Sequence, residues 1–303
     1  ERAWAMLTEL VPLTAGMVVS IGMPIRRRGG LYNTACVVVD GRIAGFSAKE
    51  HLAGEGLHYE PRWFKSWPNH HVVELERDGQ RYPFGDVFFD FSGVRVGFEI
   101  CEDAWVAQRR GALDGHAMDI ILNPSASHFA FGKNAVRERL VLEGSRSMAV
   151  TYVYANLLGN EAGRVIYDGG CYIAQNGKML AQSPRLTFDD FVLTMAVVDV
   201  EASRTEQVRT TSFKADSTDP GVKRISVDFQ LPTARMERQV PTVPAWEQSK
   251  HHKEEEFMRA ITLALFDYLR KSRSRGFVLS ISGGADSAAA ACLVAQMVDR
   301  AMG

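Results

Sequence analysis

The sequence contains few cysteines and no long apolar run. Its four cysteines (Cys36, Cys101, Cys171 and Cys292) are widely spaced in 303 residues and form no C-x-x-C pair. This spacing argues against a zinc site or a disulfide framework, and it predicts a reducing, cytoplasmic location. No apolar run reaches the roughly 18 residues that a helix needs to span a bilayer. We therefore expect no membrane partner and no secretory leader.

The sequence also lacks a large net charge of either sign. Thirty-five Lys and Arg residues face 36 Asp and Glu residues, for a formal net charge of -1. This balance gives no reason to expect a nucleic-acid partner. The composition, 46% hydrophobic and 23% charged, is typical of globular proteins, and the length suits one large or two ordinary domains. Because both ends continue helical patterns, we expect a fragment.

The strongest chemical signal is a cysteine that directly follows a predicted buried strand. Residues 94–100 are β-branched and aromatic enough for such a strand, which stops at Cys101. Asp103 can cap a helix that begins near Ala104, which places Cys101 beside a helix N-terminus and favours its thiolate form. This arrangement suits a nucleophile. The alternative is a small core residue at the end of a strand.

Several apolar runs alternate with hairpin signals and a few helical patterns, which predicts an α/β or α+β fold with covered sheet faces. Residues 134–148 are predicted to form a helix, and residues 194–200 a strand. From about residue 203 to residue 248 the apolar periodicity fades and four prolines interrupt polar sequence, as in a linker or an extended arm. We therefore divide the chain into domains at 1–202 and 251–303, with a linker at 203–250.

A second chemical signal lies near the end of the sequence. Residues 277–281 are predicted to form a strand, and they are followed by the loop Ser-Gly-Gly-Ala-Asp-Ser and a helix. Glycines let backbone N–H groups approach an anion, and the helix N-terminus adds its dipole. Ser282 and Ser287 can donate hydroxyls to phosphate, and Asp286 can cap the helix or help to hold a metal. No lysine follows the glycines, so this is not a Walker A loop. The alternative is an ordinary glycine-rich turn.

The part of the chain up to about residue 200 resembles the nitrilase, or carbon–nitrogen hydrolase, superfamily. Cys101 in Glu-Ile-Cys-Glu-Asp matches the family's nucleophile, Lys49 in Ser-Ala-Lys-Glu-His matches its lysine, and Glu60 matches an additional glutamate near the triad. The resemblance implies an αββα sandwich in which Lys49 and the backbone N–H of Glu102 stabilise an oxyanion. The family's general-base glutamate has no counterpart in this sequence, which we attribute to a missing N-terminal strand.

The glycine-rich loop resembles the SGGxDS pyrophosphate loop of ATP pyrophosphatases. The resemblance implies the beginning of a Rossmann-like parallel α/β domain that binds ATP, with Mg²⁺ held in part by Asp286. The residues implied in ATP binding are Ser282, Gly283, Gly284, Ala285, Asp286 and Ser287.

The order of an amidase part, a linker and this loop resembles the family of glutamine-dependent NAD⁺ synthetases. Residues 52–64 also resemble that family. The resemblance implies a carbon–nitrogen ligase and homo-oligomer that hydrolyses glutamine at Cys101 and passes ammonia to adenylated deamido-NAD⁺, giving NAD⁺, AMP and pyrophosphate. Glu102 and Ser127 are candidates for the polar groups of glutamine, and Trp105 for a pocket wall. Three alternatives stay open: a stand-alone amidase, a non-catalytic scaffold, and an SGGxDS enzyme with another acceptor acid.

Overall fold

The computed structural model describes residues 1–107, 109, 118–161, 163–210, 223–235 and 243–302. The helices within these ranges are α1 (Arg2–Leu10), α2 (Glu60–Trp63), α3 (Lys133–Ser147), α4 (Val200–Arg209), α5 (His252–Ser272) and α6 (Ala285–Met302), with short 3₁₀ turns at Val11–Thr14, Cys101–Ala104 and Ala245–Gln248. The strands are β1 (Val18–Arg27), β2 (Gly30–Val39), β3 (Arg42–Ala48), β4 (Val72–Arg77), β5 (Gln80–Gly85), β6 (Val87–Phe91), β7 (Val94–Phe98), β8 (Ile120–Ser125), β9 (Thr151–Asn156), β10 (Leu158–Glu161), β11 (Val165–Asp168), β12 (Cys171–Gln175), β13 (Lys178–Gln182) and β14 (Lys223–Val227).

The strands form two large sheets and one separate hairpin. The first sheet has the order β1-β2-β3-β5-β4, the second the order β13-β12-β9-β8-β7-β6-β14, and β10 pairs with β11. Strands β7, β8 and β9 run parallel to one another. Because the carboxyl ends of parallel strands meet at one edge of a sheet, the residues that follow β7 and β8 lie close together.

The two sheets pack face to face, with a helix on each outer face. Val37 of β2 and Phe89 of β6 belong to the apolar core between the sheets. Alternate residues of a strand point to opposite faces, so Val38 instead packs outward with Leu7 of α1. On the far side, Val141 of α3 packs in the core that covers the second sheet. These layers confirm the expected αββα sandwich.

Two predicted strands are wrong. Residues 194–199 adopt no regular structure, because the apolar side chains of Phe191, Leu193 and Met195 meet solvent and not a core, and Asp199 caps α4 by accepting the N–H of Ala202. Residues 277–281 adopt no regular structure, and no described strand lies beside them to accept and donate their backbone hydrogen bonds. The helix predicted over 134–148 is confirmed as α3.

Part of the segment expected to be a linker folds together with the first domain. Helix α4 spans the predicted boundary between residues 202 and 203, and β14 adds a parallel edge strand beside β6. No helix in the described ranges has both the length and the apolar character needed to cross a bilayer.

Candidate active site

Cys101 lies at a strained turn after β7. Its φ angle is +51°, a conformation that non-glycine residues adopt rarely and that often marks a functional site. The carboxylate of Asp103 accepts the backbone N–H of Ile100 at 3.0 Å and that of His51 at 2.7 Å. Asp103 therefore ties the turn to the segment after β3 and does not cap a longer helix as predicted. The described turn is a single 3₁₀ turn, and residues 108 and 110–117 lie outside the described part of the chain.

Lys49 and Glu60 form a buried ion pair beside this turn. Lys49 directly follows β3 and is only 2% exposed, and its Nζ lies 2.5 Å from Oε2 of Glu60. Glu60 also accepts hydrogen bonds at 2.8 Å from the side-chain amide of Asn33 and from the backbone N–H of Ala53. Three donors thus fix this carboxylate, and the carboxylate in turn fixes the lysine ammonium.

The three residues predicted to be catalytic line one cavity. Cys101, Lys49 and Glu60 border a space of about 560 Å³. Residues 124–126, at the carboxyl end of β8, form another part of its wall. Aromatic side chains complete the lining: Tyr59, Trp63, Phe64 and Tyr167. The cavity is large enough for an amino-acid side chain, and it joins a thiol, an ammonium group and a carboxylate.

The residues predicted to contact glutamine do not line this cavity. Ser127 is 4% exposed, and its backbone N–H donates to Asn156 at 2.8 Å. The ring of Trp105 lies 5.9 Å from the ammonium group of Lys133, and Glu102 is partly exposed in the 3₁₀ turn. Ser127 directly follows the wall formed by residues 124–126, and its hydroxyl accepts a hydrogen bond from Arg137 at 3.3 Å.

Sequence reasoning missed the hairpin β10–β11. Glu161, Arg164 and Tyr167 of this hairpin all line the cavity, and the Tyr167 hydroxyl donates to Glu161 at 2.7 Å. Burial raises the pKa of Tyr167, and the hydrogen bond to Glu161 and the charge of that carboxylate raise it further. The strands are only four residues long, which is too short for an alternation pattern to show.

A pair of histidines lies beside the cavity and was also missed. Nε2 of His58, which lines the cavity, is 2.9 Å from Nδ1 of His128. Burial and the nearby charge of Lys133 lower the pKa of His128 to about 4, and the same two causes lower the pKa of His58. The His128 imidazole is therefore neutral at pH 7. Isolated histidines in a loop carry no spacing signal that could have identified this pair.

Helix α6 begins at Ala285, within the glycine-rich loop, so the last three residues of the predicted loop form its first turn. Gly283 has a φ of +84°, the Ser287 hydroxyl donates to the carbonyl of Gly284 at 3.0 Å, and the hydroxyls of Ser282 and Ser287 are 3.2 Å apart. Asp286 lies in the first turn of α6. Among the described residues no group of three or more His, Cys, Asp or Glu side chains could hold a metal. A single carboxylate suits an Mg²⁺ ion that takes its other ligands from substrate phosphates and water.

A four-layer αββα sandwich with a cysteine, a lysine and a glutamate in one cavity defines the class of nitrilase-type amidases. The family model for carbon–nitrogen hydrolases matches residues 9–210, and the chain belongs to this family. The model for NAD synthase matches residues 257–303.

Whole proteins that contain both parts are similar to this chain. The glutamine-dependent NAD(+) synthetase of Mus musculus is 34% identical over 299 residues, which cover 94% of this chain and 41% of that protein. The crystal structure of a glutamine-dependent NAD(+) synthetase from Cytophaga hutchinsonii is 40% identical, with a TM-score of 0.74 over 98% of this chain and 41% of that one. The chain thus spans about two fifths of the length of these relatives.

The fold of the first part also occurs in a carbon–nitrogen hydrolase. A carbon–nitrogen hydrolase from Helicobacter pylori G27 matches 71% of this chain and 72% of its own, with a TM-score of 0.55 at 19% identity. This likeness supports the sandwich fold of the first part.

Proposed function

We propose that this chain carries the glutamine-hydrolysing part, and the beginning of the ATP-dependent part, of a glutamine-dependent NAD⁺ synthetase. One observation carries the proposal: the strained Cys101 shares a cavity with the buried pair of Lys49 and Glu60. The similarity to the synthetases of Mus musculus and Cytophaga hutchinsonii extends through both parts of the chain in the same order, which supports the assignment of the second part.

Glutamine hydrolysis proceeds through a thioester on Cys101. The Cys101 thiol gives up its proton as its sulfur adds to the amide carbon, the carbon–nitrogen bond breaks, and the nitrogen takes up that proton and leaves as ammonia. Water then adds to the thioester carbon, and the carbon–sulfur bond breaks to give glutamate and the thiol. The Lys49 ammonium, held by Glu60, stabilises the oxyanion of both additions together with the backbone N–H of Glu102. Because Glu60 already accepts three hydrogen bonds, its arrangement suits orienting Lys49.

The second part supplies the nucleotide loop of the proposed enzyme. Residues 282–287 would bind the phosphates of ATP, and Asp286 would contribute one ligand to an Mg²⁺ ion that neutralises phosphate charge. Ammonia would displace AMP from adenylated deamido-NAD⁺ to give NAD⁺. We include a cytoplasmic location, which the four free cysteines support, and a homo-oligomer, which the exposed apolar side chains of Phe191, Leu193 and Met195 support.

The test measures NAD⁺ formation by the full-length protein from deamido-NAD⁺ and ATP, with either glutamine or ammonium as the nitrogen donor. We expect Cys101→Ala to abolish synthesis from glutamine and to leave synthesis from ammonium within about twofold of wild type, because the two reactions use separate sites. The matched control is Cys292→Ala, which removes an exposed thiol of α6.

The other outcomes separate the alternatives. Glutamine hydrolysis that is independent of ATP and deamido-NAD⁺, with no NAD⁺ formed from either donor, identifies a stand-alone amidase. The absence of both hydrolysis and labelling of Cys101 by an electrophilic glutamine analogue identifies a non-catalytic scaffold. ATP-dependent use of ammonia with a different carboxylic acid identifies another SGGxDS enzyme.

A further inference from the structure

We propose that helix α5 positions two walls of the glutamine cavity. Glu256 and Asp267 of this helix are positioning residues, and each of them holds one wall in place. The NAD synthase model begins at residue 257, so most of α5 falls on the synthetase side of the chain. Its contacts place it instead against the elements that line the glutamine cavity. This inference rests on the proposed function, since it assigns a role in glutamine use.

The first wall is held through a row of buried charges. Glu256 is 1% exposed and accepts a hydrogen bond from Arg185 at 3.1 Å. Arg185 lies 3.4 Å from the carboxylate of Asp168, which also accepts from Arg137 at 2.5 Å. All four side chains are almost completely buried. Each charge therefore depends on its neighbours for the solvation that water would otherwise provide.

Arg137 connects this row to the cavity. Its guanidinium group donates to the backbone carbonyls of Ser127 at 3.1 Å and His128 at 2.8 Å. Asn156, itself held by Asp168 at 2.9 Å, donates to the same Ser127 carbonyl and accepts its N–H. Ser127 directly follows the cavity-lining residues 124–126. A continuous series of hydrogen bonds thus runs from α5 to this wall.

The second wall is the hairpin β10–β11. Asp267 of α5 accepts the backbone N–H of Asn160 at 2.6 Å, and Lys271 donates to the carbonyl of the same residue at 2.6 Å. A Cβ atom on Gly159 would lie 2.5 Å from the Asp267 carboxylate, so the close approach requires a glycine there. Glu161, the next residue of β10 after Asn160, lines the cavity. Helix α5 therefore sets the position of the hairpin backbone.

Glu256 and Asp267 are the two anchors of α5, and apolar packing connects the regions around them. Ala260 and Leu263 of α5 form a buried cluster with Leu186, and Phe129 and Ile166 pack against it. Ile166 is part of β11, and Phe129 lies two residues after Ser127, so the cluster contacts both walls. A shift of either anchor would move side chains that face the substrate and would weaken the contacts through which the cavity holds it.

The test uses the full-length protein and compares Glu256→Gln and Gly159→Ala with wild type. We expect the KM for glutamine to rise by about tenfold or more in both variants, with a smaller change in kcat, because positioning of the substrate is lost while the Cys101 chemistry stays. NAD⁺ synthesis from ammonium should stay within about twofold of wild type. Gly159→Ala tests the hairpin wall without removing any charge, should Glu256→Gln fail to fold.

The matched control is Glu254→Gln, an exposed carboxylate in the first turn of the same helix, which should change no parameter. An unchanged KM for glutamine in both test variants would overturn the inference. Equal losses of glutamine-driven and ammonium-driven synthesis would also overturn it, since they indicate a general loss of structure. If wild type itself does not use glutamine, the proposed function fails first, and that result is distinct from the other two.

Discussion

Lys49 and Glu60 bury one positive and one negative charge in the wall of the cavity. The lysine is 2% exposed and its ammonium group lies 2.5 Å from the carboxylate. Such a pair is costly to break from one side, because removing one partner leaves the other charge buried without compensation. The Glu60 carboxylate also accepts hydrogen bonds from Asn33 and Ala53. The position of the Lys49 ammonium group therefore depends on these two contacts as well as on the ion pair itself.

Replacing Glu60 by Gln should therefore disable glutamine hydrolysis. We expect kcat for glutamate formation to fall by about 10²- to 10³-fold, comparable to the loss of one oxyanion donor, because Lys49 loses the charge that orients it. Ammonium-driven NAD⁺ synthesis should be retained. The control is Glu55→Gln, an exposed carboxylate five residues before Glu60. Wild-type glutamine hydrolysis by Glu60→Gln would contradict the assigned role.

At the scale of secondary-structure elements, one tyrosine joins the three parallel strands below the cavity. The hydroxyl of Tyr152 in β9 donates to Glu99, which follows β7, at 2.7 Å and accepts from Asn123 of β8 at 2.9 Å. Arg109 donates to the same Glu99 carboxylate. Cys101 and the cavity residue Ser125 lie two residues beyond Glu99 and Asn123, so this contact sets the spacing of their strand ends.

The variant Tyr152→Phe removes only that hydroxyl. We expect the free energy of unfolding to fall by about 1–3 kcal/mol, because Asn123 loses a buried acceptor and Glu99 loses a donor. Urea denaturation measures the change. The control Tyr268→Phe alters a tyrosine of α5 that is half exposed, and it should lie within about 0.5 kcal/mol of wild type. Equal stability of Tyr152→Phe and wild type would show that water replaces the hydroxyl.

Elements with a long or clear pattern could be predicted from the sequence. The helix at Lys133–Ser147 and the hairpin around Asp40 and Gly41 follow the periodicity and turn chemistry of their residues. The strand predicted at residues 277–281 fails, because a strand is defined by a neighbour that no local pattern specifies. The edge strand Lys223–Val227 was missed for the same reason: its pairing with β6 is a long-range contact.

The residues of the site, like the elements of the fold, could be predicted only where a local pattern identifies them. Cys101, Lys49 and Glu60 occur in motifs that resemble a family, and the structure places them in one cavity. Arg164 and Tyr167 belong to a short hairpin without a diagnostic motif, so only the folded chain brings them there. The roles of Glu102, Ser127 and Trp105 as glutamine contacts remain predictions. The Ser127 hydroxyl accepts from the buried Arg137, a contact that no local pattern specifies.

At the scale of the whole molecule, the histidine pair makes stability depend on pH. The pKa of His128 is about 4 in the folded protein and 6.5 in an unfolded chain, so the folded state binds fewer protons between these values. This contribution to stability is complete above about pH 6.5 and is lost progressively as the pH falls towards 4. The lowered pKa of His58 acts in the same direction.

We therefore expect the stability of wild type to decrease between about pH 7.5 and about pH 5, and to decrease less in His128→Gln. Urea denaturation at both pH values measures the difference. Above about pH 7.5 the difference between the two proteins should stay constant, which serves as the control. Identical pH dependence of the two proteins would show that folding does not lower the pKa of His128.

The two anchors of α5 also constrain how its sequence can change in length. Glu256 and Asp267 are eleven residues apart in one continuous helix. Eleven residues make close to three turns, so both carboxylates lie on one face, about 16 Å apart along the axis. Insertion or deletion of a single residue between them would rotate one carboxylate by about 100° and remove the contact that α5 makes with Arg185 or with Asn160. The helix therefore tolerates substitutions on its exposed face far better than any change of its length.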